Sequence, residues 1–403
     1  MLAARLVIPH RRAAAADIEP VVTTDASSGT GVAPKSSVPT FRGTFDGGVR
    51  RRGILYHIFD WLRRNLFSSY TNAALTVAMV GLLALVVPPF IRWAFIDATI
   101  SGVAKSACVG DGACWTFIKV RLPTFFYGRY PADEIWRVNL AGLLMIAFGY
   151  PVVREKTKNR GVWLLLLLAV FPILAGVLLV GGIFGLTYVD TNSWGGLMLD
   201  VLISFVTVAG ALPFGIVLAL GRRSQLPIVR LMSIGFIELW RGVPLLTALF
   251  MSAVMVPLFL PEGVNIDRLI RAMVALVLFN SAYMAETVRG GLQGVPVGQE
   301  EAAYSIGLSW RQVQVFVTLP QALRYVTPGL VNNIVDLFKD TTLVTIVGLF
   351  DLLGAVSQAL KDPAWLGFAK EGFVFSAVVF FVCCFAMSSY GRRFERRLSR
   401  HKG

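Results

Sequence analysis

The sequence has little charge for its length. Only 15% of its 403 residues are Asp, Glu, Lys or Arg, against 55% that are hydrophobic. A soluble chain of this size needs far more charge to cover its surface, so a soluble globular protein is excluded. Histidine is scarcer still, with His10, His57 and His401 far apart, and there is no clustered metal site or zinc-protease His pair. No Gly-Lys pair occurs, which removes the phosphate loop of ATP-hydrolysing domains, and there is no Gly-x-Ser-x-Gly elbow. The expectation is therefore no catalytic residues, no metal, no cofactor and no enzyme. Cysteine is rare as well. Cys383 and Cys384 sit in an apolar run and read as small apolar residues. Cys108 and Cys114 stand in a Gly-rich loop, "SACVGDGACW", and could bridge in an oxidising compartment, although spacing alone does not supply the Cα geometry of a disulfide.

What the chain has in abundance is long apolar runs. Residues 65–91, 162–189, 201–221 and 372–391 carry no charge, and each is long enough for the roughly 20 residues that a helix needs to cross a bilayer. The fold class that follows is an all-α polytopic membrane protein of about eight transmembrane helices. The spans are expected near 70–91, 135–153, 162–186, 198–220, 228–259, 269–288, 323–350 and 372–391. The net charge of +14 is not a nucleic-acid signal, because the basic residues cluster beside spans: Arg50, Arg51, Arg52, Arg63 and Arg64 before the first, Arg392, Arg393, Arg396, Arg397 and Arg400 after the last. The short loops 154–160 and 221–230 are basic and read as cytoplasmic, while 187–196 and 261–267 lack Lys and Arg and read as external. Both termini are then cytoplasmic. Four segments result: a disordered basic cytoplasmic tail over 1–64, a three-span extension with an external loop over 65–197, a five-helix core over 198–391, and a basic cytoplasmic tail over 392–403.

Between the sixth and seventh spans lies a polar interlude, "GQEEAAYSIGLSWRQVQVFVTLPQA", at residues 298–322. Its grammar is helix, turn, helix. Pro296 suits a helix start and Glu300 and Glu301 suit its first turn, where the dipole favours anions. Gly307 falls where a left-handed cap wants glycine, and Ser309 with Gln312 forms a capping-box pattern for a second helix that stops at Pro320. Ala302, Ala303 and Ile306 give the first helix a small-residue face, and Val313, Phe316 and Val317 give the second an apolar one. A helix lying on lipid would want bulkier apolar residues and a Lys/Arg face. A docking surface for a cytoplasmic partner fits better.

At this point the sequence resembles a known family. "EAAYSIGLSWRQVQVFVTLP" is similar to the Glu-Ala-Ala loop of ABC-importer permeases, with Glu301, Ala302, Ala303, Gly307, Leu319 and Pro320 on the motif. "ELWRGVPLL" (238–246), "AYMAETVRG" (282–290), "LPQALR" (319–324) and "KDTTL" (339–343) resemble the polar amino-acid (histidine/glutamine-type) subfamily, and the N-terminal spans with the loop "GACW…YGRYP…WR" (112–137) resemble the larger permease of general L-amino-acid transporters. "KDTTL" departs from the commoner serine at its fourth position. The resemblance implies an ABC-importer permease core over 198–391 with a coupling loop at 289–322. It implies a bacterial inner-membrane location and import of L-amino acids driven by ATP hydrolysis on a separate cytoplasmic ATP-binding subunit. The partners implied are that subunit, a second permease subunit or a second copy, a periplasmic amino-acid-binding protein and the lipid bilayer, with no nucleic acid. The contact with the ATPase would fall on Glu301, Ala302, Ala303 and Gly307. An ion-coupled secondary amino-acid transporter is the alternative, but the inverted repeats usual there are missing: Glu-x-x-Arg-Gly recurs at 238 and 286 without matching flanks.

Ionisable residues within spans are functional suspects. Lys339 could meet the carboxylate of a zwitterionic amino acid and Asp340 its ammonium, with Asn280, Ser281, Tyr283 and Thr341 supplying hydrogen bonds. The bland alternative is that Lys339 pairs with Asp336 one turn earlier. Glu238 with Arg241, and Glu286 with Arg289, stand at i, i+3 and are expected to neutralise each other at the membrane edge, or else to form a gate.

Overall fold

The computed structural model describes residues 54–154 and 157–400. Arg50, Arg51, Arg52 and the tail expected over the first 53 residues lie outside them, as do His10, His401, Glu155 and Lys156. The chain divides into two compact units, Met1–Val77 and Ala78–Gly403. Within the described part of the first, α1 (Ile54–Asn65) ends in Arg63 and Arg64, Arg64 pairing with Asp60 one turn back. The start of α2 (Tyr70–Ile91) follows, and the Thr76 hydroxyl donates to the Leu66 carbonyl.

The second unit is helical, and its helices follow from the apolar runs. They are α3 (Trp115–Tyr127), α4 (Ile135–Val153), α5 (Arg160–Leu165), α6 (Phe171–Val180), α7 (Gly196–Arg222) and α8 (Pro227–Gly242). Next come α9 (Leu245–Phe250), α10 (Val256–Leu258), α11 (Arg268–Gln293), α12 (Val297–Ser305) and α13 (Trp310–Gln312). The unit closes with α14 (Leu319–Asp340), the two-residue strand β1 (Phe350–Asp351), α15 (Leu352–Ala359) and α16 (Ala369–Arg400). Among the described residues six helices are long and apolar enough to cross a membrane, and seven if the bent pair α8 with α9–α10 is taken as one span. The remaining expected span, the seventh, is α14, set apart by Arg324, Asp336, Lys339 and Asp340 in its 22 residues; it stops at Asp340 rather than at 350, where the chain tightens into a 3-10 helix over Thr341–Val347 closed by the left-handed Gly348. The tail expected at 392–403 continues α16 as far as Arg400.

Three further boundaries differ from the sequence expectation, each for a local reason. The third span stops at Val180 rather than at 186, because Gly181 and Gly182 turn left-handed with φ of 70° and 79°. A Cβ on Gly181 would lie 2.1 Å from the Thr187 carbonyl oxygen. The fifth span is not straight: Pro244 follows the end of α8, and the helix resumes at 101°. The second helix of the polar interlude does not stop at Pro320. A π-helical turn over Val313–Thr318 carries it into α14, with Pro320 in the first turn. Widened turns also precede Pro172 (Leu166–Val170) and Pro257 (Met251–Met255). Proline lacks an N–H and crowds the carbonyl four residues back, and opening the turn by one residue relieves both while the chain stays helical.

Helix α11 is the hub, touching α7, α8, α9 and α14. Apolar side chains gain little by leaving lipid for another helix, so close approach decides the packing. At Gly215 of α7 a Cβ would meet the Ser281 carbonyl oxygen at 2.9 Å and the Ala285 nitrogen at 3.0 Å. At Gly291 of α11 one would meet the Ala322 carbonyl oxygen of α14 at 2.7 Å. At the Gly196 end of α7, α3 lays Phe117 and Phe125 against Trp365, Phe368 and Phe375, between α15 and α16. Nearby, Arg137 is buried and held by Glu134 at 2.7 Å and by the Thr187 carbonyl at 2.7 Å, fastening the segment after α6 to α4.

Candidate translocation site and coupling loop

Helix α7, with its 27 residues, is about 40 Å long and separates two sets of functional side chains. At its Arg222 end lies the polar interlude. Helix α12 carries Glu300 in its first turn and is closed two residues after its last by Gly307, whose φ is +84° and whose N–H donates to the Tyr304 carbonyl at 2.9 Å. Ser309 and Gln312 form the capping box of α13, the Ser309 N–H donating to Gln312 Oε1 at 2.8 Å. Glu301 and Ala302 are exposed, whereas Ala303 is buried in its own chain. The expected small-residue face is thus split. Ala303 lies one turn after Glu300 and shares its inward side, and Glu300 is tied to Arg223 at 3.0 Å and to the Thr318 hydroxyl at 3.3 Å. Ala302, Ile306 and Phe316 of the loop are exposed, the last two strongly. Val313 is buried.

Beside it is a charged knot that the i, i+3 spacing only half foretells. Glu286 and Arg289 pair as expected, with two nitrogens of Arg289 on Oε2 at 2.9 and 2.7 Å. Glu238 does not pair with Arg241. Arg222 reaches Glu238 at 3.3 Å and Glu286 at 2.7 Å, joining α8 to α11, while Arg241 lies over the Tyr283 ring at 5.9 Å. Sequence reading treats Arg222 and Arg223 only as loop charge, because their partners are 16, 64 and 77 residues away.

The six residues expected at the substrate are placed as two sets. On α11, Asn280 and Ser281 are buried and donate to carbonyls of their own helix, Leu276 at 2.9 Å and Leu278 at 2.7 Å. Tyr283 is exposed and lies 5.0 Å, ring to ring, from Phe279. At the end of α14, Lys339 pairs with Asp336 at 3.2 Å, both well exposed, and Asp340 is half-buried. Thr341 is fully buried and its hydroxyl lies 2.6 Å from Oδ1 of Asp200. None of the hydrogen bonds of these six residues joins the α11 set to the α14 set. Asp200 is a residue that sequence reading misses. Buried in the first turns of α7, it also accepts the Leu352 N–H at 3.0 Å, so α7, the end of α14 and the start of α15 meet on one carboxylate. Asp351, outside the spans, caps α15 through the Gly354 N–H at 2.9 Å, and burial pushes its carboxyl above the usual range. Cys108 and Cys114 form a disulfide with Cα atoms 5.6 Å apart, and the Cys114 N–H donates to Glu371 of α16 at 3.2 Å.

Comparison with known proteins decides the family. Residues 211–400 match the family model described as "Binding-protein-dependent transport system inner membrane component". Over 339 residues the chain is 51% identical to the inner membrane amino-acid ABC transporter permease protein YhdY of Escherichia coli K12, covering 84% of this chain and 92% of that one. This chain is an amino-acid ABC transporter permease. It is also 36% identical to the permease BztC of a glutamate/glutamine/aspartate/asparagine transport system in Rhodobacter capsulatus, over 84% of this chain and 93% of the relative. A third relative, the probable glutamine permease GlnP of Bacillus subtilis, is 30% identical over 51% of this chain and 92% of its own length. The permease is the membrane-spanning subunit of an ATP-driven amino-acid importer, a multi-pass inner-membrane protein rather than an enzyme by family, working with an ATP-binding subunit and a substrate-binding protein. The ion-coupled alternative gains no support.

Proposed function

We propose that residues 198–391 form the translocating core, and that 289–322 is the coupling loop that docks in the ATPase through Glu301, Ala302, Gly307 and the exposed Ile306 and Phe316. The observation that carries this is the geometry of the loop: a short helix closed by a positive-φ glycine, with the apolar side chains of Ile306 and Phe316 left exposed. Ala303 acts on the same contact from behind, by seating the helix. A second permease subunit or a second copy completes the pathway, and both termini face the cytoplasm. The cargo is a set of polar L-amino acids, a reading supported by the glutamate/glutamine/aspartate/asparagine system to which BztC belongs. Lys339 takes the amino-acid carboxylate and Asp340 the ammonium, with Asn280, Ser281, Tyr283 and Thr341 lining the path. The Lys339–Asp336 pair is accessible, and so accessible a pair holds loosely and can exchange one partner for a substrate.

Lys339→Ala and Asp340→Asn are expected to lower uptake of radiolabelled glutamine, glutamate and asparagine alike, since they address groups common to all amino acids. Loss for one side-chain class alone would move these residues to side-chain selection, and unchanged uptake would take the pocket elsewhere.

The topology has its own test. With the Cys108–Cys114 loop outside and bridged, a membrane-impermeant thiol reagent on intact spheroplasts should label neither cysteine until a reductant is added. Cys108 should then label first, because Cys114 is fully buried. Labelling from outside without reductant would remove the disulfide and keep the orientation, and labelling only after lysis would invert it.

A further inference from the structure

Two adjacent arginines end α7, and they face different machines. Arg222 is the last helical residue, and its Nη1 lies between Glu286 of α11 at 2.7 Å and Glu238 of α8 at 3.3 Å. Arg223 is the C-cap, its N–H donating to the Leu220 carbonyl at 3.0 Å, and its guanidinium holds Glu300 of α12. The three ion pairs therefore share one short length of backbone. Everything around that length is stiff. Helix α7 cannot slide away from α11 without breaking the contact at Gly215, and Glu286 is clamped by Arg289 on its own helix. Arg241 lies over Tyr283 and its charge still reaches Glu286, but among the ion pairs of the described residues Glu286 and Glu238 are held by Arg222 and Arg289. The joint with most freedom is Glu238–Arg222, the longer of the two contacts and on the more exposed carboxylate. On the other side, Arg223 Nη1 is buried with no hydrogen-bond partner among the described residues, leaving a donor ready for an acceptor brought in by movement of α12. An unsatisfied buried donor favours any rearrangement that pairs it.

We propose that Arg222 and Arg223 are positioning residues that link ATPase docking to the inner mouth of the pathway: Arg223 senses the position of α12 through Glu300, and Arg222 holds α8 to α11 until α12 moves. The proposal rests on the coupling-loop reading above. It gives the two arginines separable defects. Without Arg223 the loop moves but the mouth does not follow, and without Arg222 the mouth is open whatever the loop does.

The test uses the whole transporter, with its ATPase, permease partner and binding protein, reconstituted in proteoliposomes. Import of a mixture of radiolabelled L-amino acids is measured against ATP hydrolysed, and leak of the same mixture from preloaded vesicles is measured without ATP. Arg223→Gln is expected to lower the ratio of import to hydrolysis about tenfold, the scale of one lost coupling contact, with leak unchanged. Arg222→Gln should instead raise the leak. The swap Arg223→Glu with Glu300→Arg should bring the ratio back near its original value, which a merely structural role would not predict. Normal coupling in Arg223→Gln would overturn the link, as would a swap that assembles in full amount yet recovers nothing. If Arg223→Gln fails to assemble, Arg223→Lys decides: it keeps the charge, so near-normal coupling supports the link and full uncoupling refutes it. A normal ratio of import to hydrolysis in Gly307→Val would instead overturn the coupling-loop reading itself.

Discussion

Replacing Gly215 by valine is expected to destabilise the permease by about 3 kcal/mol and to cut the amount of folded protein recovered in detergent. A Cβ there would approach Met284 Cβ at 2.9 Å, the Ser281 carbonyl oxygen at 2.9 Å and the Ala285 nitrogen at 3.0 Å. Two of these atoms are backbone, so no rotamer change relieves the contact, and α7 must move off α11. Because α11 also carries α8, α9 and α14, the displacement spreads through the bundle. Gly149 of α4 is the matching control: nothing lies within 4 Å of a Cβ built there, and Gly149→Ala should stabilise by about 0.5–1 kcal/mol through lower backbone entropy in the unfolded chain. Thermal denaturation of the two variants in one detergent reads the difference directly. A Gly215→Val protein that melts with the unaltered chain would show that the α7–α11 crossing does not depend on backbone approach.

Gly307→Val is expected to abolish most uptake while leaving the protein in the membrane and ATP hydrolysis running. The space around Gly307 is empty, so the defect is conformational: its φ of +84° lies where a β-branched side chain clashes with the backbone. Losing a left-handed preference of about 1–2 kcal/mol shifts the loop roughly tenfold away from its closed geometry. The Gly307 N–H bond to Tyr304, and with it the direction of α12, goes first. Asparagine tolerates this region, so Gly307→Asn should keep a large part of the uptake. Normal transport by Gly307→Val would refute the coupling role of the loop.

What could be read without the structure was whatever is local in sequence. The positive φ at Gly307, the Ser309–Gln312 capping box and the Glu286–Arg289 pair each rest on residues a few positions apart, where propensity and spacing carry the information. The charge-free runs gave the membrane class because lipid tolerates so few alternatives. The readings that failed needed knowledge of three dimensions. Glu238 was free to choose between Arg241, three residues on, and Arg222, sixteen back, and only the crossing of α7 with α8 decides for Arg222. Ala303 turned inward because Arg223 anchors Glu300. Pro320 reads as a stop until the widened turn before it is seen. The outermost case is Asp200, a buried acid whose acceptors are satisfied only by Thr341 and Leu352, more than 140 residues ahead.

The aromatic seat of α3 bears on how this longer permease relates to relatives half its size. The family match begins at residue 211, so α15 and α16 lie inside it and α3 outside. Yet Phe117 and Phe125 are fully buried against aromatic rings beyond residue 360, and the Arg121–Asp362 and Lys105–Leu366 contacts stitch the same seam. Shared and added sequence have therefore become one hydrophobic body. A chimera that pastes this extension onto a shorter permease would set it on a surface never shaped to receive it. A truncation at the start of the core would strip Trp365 and Phe375 of their cover and leave a sticky aromatic patch. Gain or loss of the extension in a lineage calls for coordinated change on both sides of that seam.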